Sequence, residues 1–256
     1  MGFQVLSDIR SHNSTIRGLR KSTPVAVSDI TNRDATHRIV NDEESKVAVF
    51  YPALEGISGE VVCPSLSSIP RKRLLLIQDE CHTFGACGVH GYELPIDVRP
   101  DIRILGLSKA YGTVGAAVVG SSEIINAIIA HASPWIFSTP LPPIVWQVNN
   151  ALWPIVTAMQ AERERIQALG DRFRSRFRAS EIVVLGERHV SGVRIGKRAR
   201  PAQFEDLLQR SGIFLRVSSF PTMPLGLDTA RVVFNPFHTE DNVDFVADTI
   251  ISTLHS

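Results

Sequence analysis

Residues 74–120 read LLLIQDECHTFGACGVHGYELPIDVRPDIRILGLSKAYGTVGAAVVG. One apolar run ends in Asp79-Glu80-Cys81-His82, and a second, Ile102 to Leu105, ends in Gly106-Leu107-Ser108-Lys109. Short continuous apolar runs without alternation suit strands covered on both faces. An acid, an imidazole and an amine therefore sit just past the C-terminal ends of buried strands. That edge is where open α/β sheets place their ligands.

The same organisation extends outward. Lys46 to Tyr51 (KVAVFY) reads as a strand followed by a Gly/Pro-bearing loop, Arg73 to Gln78 as a second strand and Ala116 to Val119 as another. Ser122 to His131 has a helical pattern, and a long helical pattern runs from about Pro143 through Arg178, where Pro154 predicts a kink or a break. Beyond Glu181 the pattern changes. Ile182 to Leu185, Gly192 to Ile195 and Ala230 to Phe234 read as strands, and Ala202 to Ser211 and Asp241 to Leu254 as helices. The expectation is an α/β large domain with a mixed, mostly parallel sheet at residues 1–150, and a smaller α+β domain at residues 151–256.

The 256-residue chain has an ordinary balance of 44% hydrophobic and 21% charged residues. Lys plus Arg (27) nearly equals Asp plus Glu (26), so charge gives no reason to invoke nucleic acid or an anionic membrane. The arginines between Arg163 and Arg178 are interrupted by acids and read as a solvated helix face. Cys63, Cys81 and Cys87 are an odd count without framework spacing, which points to reduced thiols and a cytoplasmic setting. The N-terminus has no apolar core of a signal peptide, and no window reaches the ~18 apolar residues of a membrane span. The opening Met-Gly fits a myristoylation signal only in part, because Leu6 stands at the Ser/Thr position.

Lys109 alone would read as a surface lysine. Its setting argues for more: Ser108 precedes it, and Gly112, Gly115 and Gly120 follow, glycines of the kind that let backbone approach a ligand. An amine desolvated beside an apolar sheet edge has the lowered pKa that Schiff-base formation needs. A carboxylate at Asp79 suits a metal ligand, a helix cap or a partner for a cationic ring nitrogen. An Asp, a His and a Lys together are the groups that hold and activate pyridoxal phosphate (PLP). A zinc site from Cys81, His82, Cys87 and His90 is disfavoured, since adjacent residues leaving a strand point apart, and no metal is expected.

Asp79 to Gly85 with Gly88-Val89-His90-Gly91 resembles the DEAHS-x-G-x-x-G-x-x-G-x-G signature of the α-oxoamine synthases, PLP-dependent transferases of fold type I in the class I/II aminotransferase superfamily. Gly106 to Gly112 is similar to their G-T-F-S-K-A-x-G. Asp8 to Ser14 resembles D-x-x-x-H-x-S, and Glu55 to Glu60 resembles a shortened E-G-x-x-S-M-D-G. Phe137 to Pro143 resembles F-S-x-x-L-P-P, and Phe220 to Pro224 with Ala230 to Thr239 resembles P-P-T-V-P…R-L-R-x-x-L-x-A-x-H-T. The resemblance covers nearly the whole chain. It implies the fold-type I sandwich, lacking the first hundred-odd residues of the large domain, and hence an exposed apolar patch.

The resemblance also implies roles. Lys109 is the Schiff-base lysine, and with His12 and His82 it makes the catalytic set. His12 stacks on the cofactor ring, Asp79 holds the ring nitrogen, and His82 reaches the phenolic oxygen. Ser58, Ser108 and Thr139 complete the cofactor contacts, Thr139 toward the partner subunit's phosphate, and Arg231 binds the substrate carboxylate. The implied activity is decarboxylative condensation of a small amino acid with an acyl-CoA by a homodimer. A class I/II aminotransferase and a non-catalytic partner of a full-length homologue are the alternatives. The chain departs from the pattern at three places: Gly106 stands at the phosphate-binding threonine, Cys81 at a small alanine and Thr31 at a histidine. Phosphate anchoring is thus the weakest part of the implied site.

Overall fold

The computed structural model describes residues 3–40, 44–92 and 99–255. Met1 and Gly2, weighed above as an acylation signal, lie outside them. The chain divides into two compact units, residues 1–54 with 62–159, and residues 55–61 with 160–256.

The first unit holds strands β1 (Phe3–Asp8), β2 (Val25–Ser28), β3 (Lys46–Pro52), β4 (Leu74–Asp79), β5 (Ile102–Gly106) and β6 (Ala116–Val119). Its helices are α1 (Asn13–Ser22), α2 (Arg33–Ile39), α3 (Ser122–His131), α4 (Ser133–Ile136) and α5 (Pro143–Ala158). The sheet order is β2-β1-β3-β4-β5-β6, parallel throughout except for the antiparallel β5–β6 pair. The mixed, mostly parallel sheet read from the sequence is therefore present. Leu6, Val47, Val49 and Leu76 are fully buried, with Ile30, Tyr51 and Val62 around them, which is why β3 and β4 read as unbroken apolar runs. The strands β1 and β2 and the helices α1 and α2 lie in a region whose polar composition gave no periodic signal.

The expected helix from Pro143 to Arg178 is two helices, and the interruption is at Met159 rather than at Pro154. Proline removes one donor from the ladder, which α5 tolerates. Near its end the Thr157 hydroxyl bonds back to the carbonyls of Trp153 (2.9 Å) and Pro154 (3.1 Å), one turn earlier in the same helix. Trp135, Ile136, Phe137, Ile144, Trp146 and Ile155 are exposed, so the first unit does present apolar surface on α4 and α5. Among the described residues no helix is long and apolar enough to cross a membrane.

The second unit holds α6 (Gln160–Arg176), β7 (Val184–Leu185), β8 (Val190–Arg194), α7 (Pro201–Arg210), β9 (Arg216–Ser218), β10 (Thr229–Val233) and α8 (Glu240–His255). Its antiparallel sheet has the order β7-β8-β10-β9. Phe173 packs at a 55° tilt against Phe177 (5.0 Å between ring centroids) and Phe234 (5.4 Å), and the fully buried Ile195, Phe204, Leu208 and Ile250 complete the interior. The arginines of α6 divide between surface and partners. Arg172 is bidentate to Asp244 and Arg176 pairs with Asp248, both on α8. Residues 55–61 pack here: the Glu187 N–H donates to the Gly59 carbonyl at 3.0 Å, and the Val61 N–H to Glu187 Oε1 at 3.1 Å.

Candidate active site

The strands β4 and β5 are parallel neighbours, with Asp79 opposite Ile104, so they end at one edge of the sheet. The Glu80 N–H donates to the Ile104 carbonyl and the Ala53 N–H to the Asp79 carbonyl, both at 2.8 Å. These two bonds fix where the chain leaves β4. A turn after β5 is closed by Thr113 N–H to Leu107 O (2.8 Å) and Gly112 N–H to Lys109 O (3.0 Å). The two loops bring together residues 27 apart in the chain: Lys109 Nζ lies 2.7 Å from His82 Nε2.

Both loops are braced from behind. Phe84, two residues after His82, stacks at 5.3 Å on Tyr111, two residues after Lys109. The Tyr111 hydroxyl donates to the Asn149 carbonyl and the Thr113 hydroxyl to Asn149 Oδ1, each at 2.6 Å. Asn149 is buried on α5. Beneath the β4 edge the buried Glu80 accepts two bonds from Arg103, at 2.5 and 2.6 Å.

Asp79 Oδ1 accepts the Cys81 N–H at 2.9 Å. No helix follows Asp79, so it is not a helix cap. Among the described residues no group of three or more His, Cys, Asp and Glu is arranged to hold a metal ion, and Cys81, His82, Cys87 and His90 form no such set. Asp79 and His12 line one small hollow in the first unit, together with Ser11, Thr15, Phe50 and Ile77. His12 caps α1, its Nδ1 2.7 Å from Ser14 Oγ. Asp8 and Arg10, to which the sequence reading gave no role, hold this corner in place. Asp8 is fully buried, takes a bidentate pair from Arg10 at 2.8 and 3.0 Å, and accepts the Ile30 N–H at 3.1 Å. An Asp two residues before an Arg, at the end of β1, was the available signal.

Two details correct the sequence reading. Lys109 is exposed, so burial within this chain does not supply the desolvation expected of it. Nor are the glycines after it all openings toward a ligand. A Cβ on Gly115 would meet Leu141 at 2.4 Å, and one on Gly120 the Asp101 carbonyl at 3.1 Å, so both answer to the protein's own packing. Ser108 and Thr139 are exposed.

Two of the expected site residues belong to the second unit. Ser58 is buried and its hydroxyl donates to Glu60 Oε2 at 2.7 Å. Arg231 lies on β10, and its Nε is buried without a hydrogen-bond partner. Burial pushes the Arg231 pKa down, and Glu55 opposes that shift. A buried, unpaired guanidinium nitrogen is what a carboxylate ligand would satisfy.

The comparisons with known proteins bear on the fold and the family. The family described as "Aminotransferase class I and II" matches residues 60–250, and the chain belongs to it. A 5-aminolevulinate synthase of Bradyrhizobium diazoefficiens is 26% identical over 96% of this chain and 63% of its own length. An 8-amino-7-oxononanoate synthase of Xylella fastidiosa is 28% identical over 82% of this chain and 54% of its own. Both are α-oxoamine synthases, the group the motifs resemble. The chain thus spans less than two thirds of these curated relatives. The serine palmitoyltransferase structure of Sphingomonas wittichii superposes with a TM-score of 0.86 at 17% identity, over 98% of this chain and 66% of that one, and shows the fold-type I architecture.

Proposed function

We propose that this chain carries the lysine-bearing part of a PLP-dependent α-oxoamine synthase, an acyltransferase that joins a small amino acid to an acyl-CoA with loss of carbon dioxide. The observation that carries the reading is the 2.7 Å approach of Lys109 Nζ to His82 Nε2, at the edge where Asp79 ends β4. The donor set fits the cofactor: an amine for its aldehyde, an acid for its ring nitrogen and an imidazole at His12 for its face. When bound, PLP supplies an electron-accepting ring that stabilises negative charge at the amino acid's α-carbon.

The chain's own residues do the rest. Lys109 Nζ would hold the cofactor's aldehyde carbon; once the amino acid's own amine had displaced it, the freed Nζ would take the α-proton, with His82 as the group that exchanges a proton with it. Asp79 keeps the ring nitrogen protonated, since an ionised carboxylate favours a cationic neighbour. Arg231 pairs with the amino-acid carboxylate. Ser58, Ser108 and Thr139 are the hydroxyls assigned to the cofactor, Thr139 toward a second subunit of a homodimer. The larger unit is the cofactor-binding domain, and a cytoplasmic setting fits the three thiols.

Incubation with PLP, borohydride reduction and peptide mapping test the reading. A single reduced tag on Lys109, absent from Lys109→Ala, is expected. A tag on another lysine, or none, overturns it. Dependence of turnover on a CoA thioester separates this activity from transamination, which needs none.

A further inference from the structure

The helix α5 carries Asn149, Leu152, Trp153 and Val156 at spacings of three and four residues, which puts them on one face. Leu152 and Val156 pack with Phe84, Leu105, Leu107 and Tyr111. Asn149 is buried in the same stripe, while its neighbour Asn150 is exposed. A buried amide costs stability unless it is hydrogen-bonded. Asparagine is also a weaker helix former than the alanine or leucine that such a stripe would take. Its partners show what offsets that cost.

Both partners lie in the turn that carries Lys109. The Tyr111 hydroxyl donates to the Asn149 carbonyl and the Thr113 hydroxyl to Asn149 Oδ1, each at 2.6 Å. The Thr113 hydroxyl is also 3.2 Å from the Leu107 carbonyl, which accepts the Thr113 N–H at 2.8 Å. Thr113 therefore links α5 to the residue at which the turn begins. The link does not depend on which way the amide faces. Nδ2 is buried without a partner, and with the amide turned over it would donate to the Thr113 hydroxyl, whose proton would then go to Leu107. The same helix reaches the other loop. Trp153, one turn on from Asn149, stacks at 6.2 Å on Phe84, two residues after His82. The Lys109 turn and the His82 loop thus share one support.

We propose that Asn149 is a positioning residue: through Thr113 it fixes the turn that carries Lys109, and so holds Nζ 2.7 Å from His82 Nε2. Lys109 is exposed, so its placement depends on the turn beneath it. The functional meaning rests on Lys109 being the reacting amine of the proposed function, but the structural content needs no cofactor.

Trace acylation of the full chain without cofactor, read by peptide mapping at each lysine, tests the proposal. An amine attacks the reagent through its free lone pair, so the rate at Lys109 reports the His82 contact. His82→Leu gives the rate without that contact, slower than the parent's. Asn149→Ala should slow Lys109 toward that value by about fivefold, the factor that one ordinary hydrogen bond is worth. The exposed Lys21, Lys46, Lys72 and Lys197 should keep their parent rates. A parent rate at Lys109 in Asn149→Ala overturns the proposal. So does an equal change at every lysine, or a His82→Leu variant that labels as the parent does.

The other end of the link gives an independent arm. Thr113→Val keeps the shape and loses the hydroxyl, so it should label Lys109 as slowly as Asn149→Ala does. Thr113→Ser, which keeps the hydroxyl, should hold the parent rate. Thr113→Val/Asn149→Ala should be no slower than either single variant. A serine variant as slow as the valine one, or additive losses, overturns the pairing. Should Asn149→Ala not fold, the valine and serine variants decide alone. None of these rates uses the reduced PLP tag at Lys109, so the proposed function can fail while they stand, and the reverse.

Discussion

Lys109 Nζ and His82 Nε2 lie 2.7 Å apart, within hydrogen-bonding distance. Both nitrogens are basic, so in that contact one donates and the other accepts. An amine attacks an aldehyde only through a free lone pair, and a neighbouring imidazole can take the proton that frees it. His82→Leu should therefore slow the appearance of the lysine–PLP absorbance by about a hundredfold, the low end of what a positioned general base contributes. Rapid mixing with PLP measures it. A rate equal to that of the parent chain would remove His82 from the chemistry.

The second unit has a built-in acid sensitivity. His189 is buried, and burial first, then the Arg231 charge, hold its pKa at about 4, below the ordinary 6.5. Above pH 6.5 the imidazole is neutral in both folded and unfolded chains, and the unit keeps its full stability. Between 6.5 and about 4 the unfolded chain binds a proton that the folded chain refuses, so stability falls as pH falls. The loss across that window is about 3 kcal/mol, since each tenfold difference in proton affinity is worth roughly 1.4 kcal/mol. Urea unfolding from pH 7.5 to 4 measures it. His189→Gln should flatten the slope, and an unchanged slope would place the acid sensitivity elsewhere.

Glu80 is nearly fully buried, and its carboxylate is held by the bidentate Arg103 pair. Removing the cation alone leaves a buried charge uncompensated. Arg103→Met should cost about 3–5 kcal/mol in unfolding free energy. Replacing both partners, Glu80→Gln with Arg103→Met, should cost clearly less, because no bare charge remains. A double variant as unstable as the single would show that packing, not charge, sets the cost.

How much of this was legible in the sequence depends on the kind of interaction. β3, β4 and β5 announced themselves because strands covered on both faces must be apolar throughout, as Val47, Val49 and Leu76 are. The edge bearing Asp79, His82 and Lys109 followed, since side chains just past such strands project from the sheet. The corner around His12 was legible only as a motif. Asp8 and Arg10 make it by long-range bonds, among them Asp8 to the Ile30 N–H, and no local periodicity encodes a bond across 22 residues. The closeness of Cys81 to Gly106, on which an added Cβ would lie 2.9 Å from Cys81 Sγ, was hidden in the same way. Each residue looked like a separate departure, and only the parallel register of β4 and β5 makes them neighbours. The break at Met159 was misplaced for a different reason: proline marks a missing donor, which a helix can lose without ending, and α5 runs past Pro154 to Ala158.

Gly59 offers a test of how residues 55–61 are held in the second unit. Its φ is +78°, a conformation that costs an L-residue about 1–2 kcal/mol. Space forbids a side chain as well. A Cβ there would lie 2.0 Å from the Val190 carbonyl oxygen, and that oxygen cannot withdraw easily, because Val190 is registered against Val233 in the sheet. Gly59→Ala must therefore either distort β8 or release the segment. Release is the less costly outcome, since it breaks few bonds: Glu187 N–H to Gly59 O and Val61 N–H to Glu187 Oε1 among them. The variant should lose about 3 kcal/mol of stability, strain and clash together. Hydrogen exchange at the Val61 and Glu187 amides should rise while that at Val193, in the middle of β8, stays protected. Loss of protection at Val193 instead would mean that the strand gives way before the segment does.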